Sequence, residues 1–220
     1  MSNNSKASVL ASLKEIGLVP VLRASSVEQA LAVAEAIASG GVKALEITMT
    51  VPGAMQVIRT LAERRQDILI GAGTVLDAET ARMCILEGAK FVVSPALDLP
   101  TIEMCHRYSI PVLPGALTPT EVVTAWKAGA DVVKIFPASA VGGAKYLAAL
   151  KAPLPQVEMI PTGGVSLATA AEFLDAGAFA LGVGSDLVNT KAISEGKPEI
   201  ITENAKKYLS IVREFQQRKK

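Results

Sequence analysis

Gly129-Ala130-Asp131-Val132-Val133-Lys134-Ile135-Phe136-Pro137 is the stretch whose reading sets the fold. A glycine able to take the left-handed conformation ends a helix, a tight turn follows, and a short apolar strand closes on a proline. Such a run fits a strand buried on both faces, as in a parallel sheet. The opening phrase recurs at Gly40-Gly41-Val42-Lys43-Ala44, Gly88-Ala89-Lys90-Phe91 and Gly177-Ala178-Phe179-Ala180. One helix-to-strand joint used repeatedly predicts a β/α unit copied along the chain. Strands are expected to begin near Val19, Ala44, Ile68, Phe91, Pro111, Val132, Glu158 and Ala180. Helical patterns cover residues 5–16, 27–39, 54–65, 167–176 and 202–217. Eight units predict an α/β chain folded as a single (β/α)8 TIM barrel with an extra N-terminal helix, residues 1–220 forming one domain and 1–6 frayed. An open doubly wound sheet is the alternative.

Composition agrees with a large core made of small aliphatic side chains: half of the 220 residues are hydrophobic and only 4% are aromatic. The formal charge of +1 removes the main electrostatic argument for a nucleic-acid partner. Nothing in the sequence resembles a secretion signal or a run long enough to span a bilayer, so a soluble, cytoplasmic protein is expected. Cys84 and Cys105 have no metal-type spacing and read as free, buried thiols. His106 reads as a surface residue on a helix, and Trp126 as packing at a helix end.

Lys134 is the anomaly within its strand. Burial disfavours the charged form of an amine, and a neutral amine attacks carbonyls to form a Schiff base. Glu46, in Ala44-Leu45-Glu46-Ile47, is a second charge in an apolar strand, suited to moving protons if its carboxyl is buried. The two together also fit a structural ion pair. In a barrel, functional groups gather at the C-terminal ends of strands. Those ends are predicted near Arg23, Glu46-Ile47-Thr48-Met49-Thr50, Gly71-Ala72-Gly73-Thr74, Ser94-Pro95, Pro114-Gly115 and Lys134, then at Thr162-Gly163-Gly164 and Gly182-Val183-Gly184-Ser185. The last two, the first leading into a helix expected from Ser166, suggest a phosphate site, because glycines let backbone N–H groups approach an anion. Ordinary turns would use the same glycines. Arg23 offers a fork to a carboxylate or is a surface residue, and Thr48, Thr50 and Thr74 offer hydroxyls or are simply strand formers. No histidine triad or histidine-rich metal site is available.

With these residues in place, the chain resembles the 2-keto-3-deoxy-6-phosphogluconate (KDPG) and 4-hydroxy-2-oxoglutarate aldolase family from about Gly17 to Val188. The resemblance is carried by Leu45-Glu46-Ile47-Thr48, Gly71-Ala72-Gly73-Thr74-Val75, Ser94-Pro95 and Val112-Leu113-Pro114-Gly115. It continues through Thr118-Pro119-Thr120-Glu121, Lys134-Ile135-Phe136-Pro137, Pro161-Thr162-Gly163-Gly164-Val165 and Gly182-Val183-Gly184-Ser185. It implies a class I aldolase, usually trimeric, using a covalent lysine Schiff base with no metal or other cofactor. Lys134 would be the Schiff-base lysine and Glu46 the general acid/base. Arg23, Thr48, Thr50, Thr74, Pro95, Phe136 and Thr162 would bind substrate, and Gly163, Gly164, Gly184 and Ser185 its phosphate. Many members carry an arginine where Thr50 stands. A subgroup has the Thr50-Val51-Pro52 version with an arginine after the first strand, the place of Arg23 here. The expected partner is a small 2-keto acid, with no nucleic acid or membrane. A phosphosugar isomerase or epimerase, or a non-catalytic phosphometabolite-binding or scaffold barrel, is the competing reading.

Overall fold

The computed structural model describes residues 5–219 and has an α/β architecture. Its strands are β1 (Leu18–Leu22), β2 (Ala44–Thr48), β3 (Leu69–Gly73), β4 (Val92–Val93) and β5 (Val112–Leu113), followed by β6 (Gly115–Ala116), β7 (Val133–Ile135), β8 (Met159–Pro161) and β9 (Leu181–Val183). All pairings are parallel, in one sheet of order β5-β4-β3-β2-β1-β9 and a second of order β6-β7-β8. The fifth predicted strand is therefore split between sheets. Pro114 lies at the break and has no N–H for a ladder bond, while its carbonyl accepts Lys134 N–H at 2.8 Å. At the other margin Thr162 bridges Gly182, and Phe179 N–H donates to the Met159 carbonyl at 2.8 Å.

The helices are α1 (Lys6–Ile16), α2 (Val27–Ser39), α3 (Ala54–Arg64), α4 (Ala78–Leu86) and α5 (Leu99–Arg107), then α6 (Pro119–Lys127), α7 (Ala144–Lys151), α8 (Ala170–Asp175), α9 (Thr190–Ser194) and α10 (Glu199–Arg218). Their starts follow from local chemistry. Ser5, Ser26, Asp77, Asp98 and Thr118 each accept a backbone N–H as N-caps, and Thr118 with Glu121 completes a capping box. The recurring joint is built as its glycines suggest: Gly41, Gly88, Gly129 and Gly177 have φ of 93°, 104°, 91° and 91°.

Side chains alternate across each strand, so residues two apart share a face. One face packs outward on the helices. The other forms an inner cluster of Val19, Ala44, Phe91, Val93, Leu113, Val132, Ile160 and Ala180, plugged by Val9 and Leu13 of α1. Gly71 makes room for this plug, since a Cβ there would come within 2.3 Å of the Phe91 ring. Continuing two residues along the same faces leads from Ala44 to Glu46 and from Val132 to Lys134. The inner face thus turns from apolar to polar at one end of the strands.

Three expectations need correction. Ser5 caps α1 and Lys6 pairs with Asp131 at 2.9 Å, so neither is frayed; residues 1–4 lie outside the described residues. Trp126 is 42% exposed rather than packed. The helix expected from Ser166 begins only at Ala170. Thr169 Oγ1 takes the Ser166 N–H at 3.0 Å and donates to the Gly164 carbonyl at 3.1 Å, replacing the first helical turn with a side-chain-bonded loop. As expected, Cys84 and Cys105 are free and buried, and His106 lies on the surface, its ring bonded to the Gly129 carbonyl at 2.9 Å.

Candidate active site

Among the described residues, Lys134 and Glu46 are the two charged residues in the buried set, at 4% and 2% exposure. They stand on different sheets, Lys134 in the middle of β7 and Glu46 in the middle of β2, with Lys134 Nζ 3.9 Å from Glu46 Oε1. Glu46 Oε1 is fully buried and has no hydrogen-bond partner among the described residues. A buried acceptor left open is uncommon, because it forfeits its interaction with water. Burial pushes the Glu46 carboxyl above its usual range, against the smaller opposing pulls of Lys134 and Arg23. The Phe136 ring lies 5.1 Å from Lys134 Nζ and covers the amine.

Space for the carboxylate comes from Gly73, whose neighbouring register partner is Thr48. A Cβ at Gly73 would fall 2.0 Å from Glu46 Oε1. Gly115 plays a similar part across the site, where a Cβ would meet the Pro95 backbone at 2.2 Å. The sequence contained both glycines at predicted strand ends, but only the packing reveals what they make room for.

Beside this pair opens a cleft of ≈ 280 Å³, whose lining includes Arg23, Phe136, Thr162, Gly163, Gly164 and Ser185. Gly184 belongs to the same wall, and a Cβ on it would meet nothing within 4 Å. Gly163 and Gly164 have φ of 87° and 75°, and a Cβ at Gly164 would strike Ser139 at 2.2 Å. The N–H groups of Gly164, Val165 and Ser185 have no acceptor among the described residues, so both loops lining the cleft carry unpaired backbone donors. The Arg23 guanidinium is exposed beside them.

The remaining predicted residues are placed less directly. Thr48 is fully buried, and its hydroxyl donates to the Leu22 carbonyl at 3.0 Å and lies 2.7 Å from Thr50 Oγ1, so it braces β1 against β2. Thr74 takes a left-handed φ of 56° at the end of β3, a conformation that costs a β-branched residue about 1–3 kcal/mol. Thr50, Thr74 and Pro95 lie outside the cleft's lining. No group of three or more His, Cys, Asp or Glu side chains able to hold a metal occurs among the described residues. No helix among them is long and apolar enough to cross a membrane.

The family model described as KDPG and KHG aldolase matches residues 9–204. The chain belongs to this family. Among relatives of the KDPG and KHG aldolase family, the 2-dehydro-3-deoxy-phosphogluconate aldolase of Treponema pallidum is 33% identical over 204 residues, covering 93% of this chain and 97% of the relative. The KHG/KDPG aldolase of Escherichia coli K12 is 35% identical over 86% of this chain and 89% of its own. The KDPG aldolase structure from Legionella pneumophila, with pyruvate captured at low pH as a covalent carbinolamine intermediate, superposes with a TM-score of 0.83 at 32% identity. That superposition covers 91% of this chain and 96% of the Legionella chain.

Proposed function

We propose that this protein is a class I aldolase, a carbon–carbon lyase that cleaves KDPG to pyruvate and glyceraldehyde 3-phosphate. The same chemistry would cleave 4-hydroxy-2-oxoglutarate to pyruvate and glyoxylate. The observation that carries the reading is the buried Lys134–Glu46 pair with its unpartnered Oε1, set beside a cleft of free backbone donors.

Lys134 Nζ attacks the C2 carbonyl to give a carbinolamine, and loss of water leaves an iminium. Glu46 takes the proton of the C4 hydroxyl, its open Oε1 being the acceptor. The C3–C4 bond breaks, the aldehyde departs, and the bonding electrons pass into the iminium as an enamine. Protonation at C3 and hydrolysis release pyruvate and restore the amine. Lysine supplies the electron sink, so the scheme uses no metal or other cofactor. Arg23 would take the substrate carboxylate in place of an arginine at Thr50. Phe136, Pro95, Thr74 and Thr162 would shape the pyruvyl pocket, with Thr48 and Thr50 bracing it. Gly163, Gly164, Gly184 and Ser185 would hold the phosphate. An isomerase using paired acids is disfavoured because the second buried charge is a lysine.

Supporting a closed eight-stranded barrel, the two sheets adjoin both at Pro114 and at the Thr162–Gly182 bridge. One domain spanning the chain, a homotrimer and a cytoplasmic place in the Entner–Doudoroff route complete the reading. The exposed Leu76, Met83, Leu86 and Leu99, on and beside α4 and α5, supply apolar surface of the kind subunit contacts cover.

The test is borohydride reduction in the presence of pyruvate, followed by peptide mass mapping. A reduced pyruvyl adduct on Lys134, lost in Lys134→Ala along with KDPG cleavage, is expected. Retained cleavage in folded Lys134→Ala would sink the assignment.

A further inference from the structure

Two glycine loops of the cleft are tied together by a carboxylate that sits next to the proposed phosphate position. Asp186 follows Ser185 directly and itself lines the cleft. Its Oδ2 accepts the Leu167 N–H at 3.3 Å, which joins the loop after β9 to the loop after β8. The same oxygen accepts the phenol O–H of Tyr208. Tyr208 is fully buried on α10, a helix whose Ile201, Ala205 and Val212 are buried as well. The phenol therefore comes from a buried helix, whereas the loops are built around glycines.

A bare carboxylate here would repel a phosphate. Two donors on one oxygen draw off part of its charge and fix its direction. Burial, with the Asp186 carboxylate beside it, pushes the Tyr208 phenol well above its usual value, so it remains a donor at any working pH.

We propose that Tyr208 and Asp186 act as positioning residues, a strut from α10 that aligns the two loops and sets the preference for phosphorylated over unphosphorylated substrate. This rests on the aldolase reading and on those loops holding phosphate. Neither residue touches the reacting carbons, so the effect should fall on binding of the phosphorylated end alone.

The experiment is steady-state kinetics of Tyr208→Phe with KDPG and with 4-hydroxy-2-oxoglutarate, alongside competitive inhibition by inorganic phosphate. The expected result is a KM for KDPG raised roughly tenfold, the loss of one hydrogen bond to a charged group. Inhibition by phosphate should weaken in parallel, while kcat and the constants for 4-hydroxy-2-oxoglutarate hold. Asp186→Asn keeps an acceptor for both donors and removes the charge, so its KM for KDPG should be no higher than wild type. Asp186→Ala, at an exposed position, should reproduce the Tyr208→Phe pattern and serves if that variant does not fold. Equal losses on both substrates, an unmoved KDPG KM, or Asp186→Asn as weak as Asp186→Ala would each overturn the strut. A wild-type protein that neither cleaves KDPG nor responds to phosphate would overturn the reading of the site itself.

Discussion

To act as the proposed base, Glu46 must give up a proton, yet its surroundings favour keeping it. The acid limb of kcat/KM should therefore lie above pH 4.5, the ordinary value for this carboxyl. A pH–rate profile checks this. In Glu46→Gln that limb should vanish and cleavage should fall by about 10²–10⁴-fold. The displacement has a counterpart in folding. As pH rises past 4.5 the unfolded chain releases this proton before the folded one does. The folded state then binds more protons, so the group's contribution to stability falls with rising pH until the folded carboxyl has ionised too. The burial of Lys134 and Glu46, the residues proposed to carry this chemistry, was legible because a charge inside an apolar strand is conspicuous. Gly73 and Tyr208 were not, since their parts are defined by side chains far away in sequence.

At the level of the element, the glycine joint before β2, β4, β7 and β9 separates stability from chemistry. Gly129 has φ of 91°, and a Cβ there would fall 2.5 Å from His106 Cε1. Gly129→Ala should cost roughly 1–3 kcal/mol in urea unfolding. Its kcat should stay at the wild-type level, because the joint precedes β7 at the end remote from the cleft. A matching fall in kcat would mean that the joint also sets the Lys134 position. These joints, the long helices and the strand starts were readable because glycine, caps and apolar runs act locally. The split at Pro114 and the missing first turn of α8 were less so. Both depend on how a carbonyl or hydroxyl is taken up by another segment.

For the whole molecule, assembly and closure were the least legible, since apolar side chains on outer helices do not announce what covers them. If the α4–α5 surface joins subunits, the wild-type protein should sediment at three chain masses. Met83→Glu combined with Leu86→Glu should shift it to one, and an unchanged mass in that double variant would place the contact elsewhere. The separation of Glu46 and Lys134 onto different sheets has its own consequence. A chain cut at the turn after α6 would leave the glutamate in one fragment and the lysine in the other. On the proposed roles each piece alone would be inert, and pyruvate would form only where the halves met, making the fold a ready-made split sensor of molecular proximity.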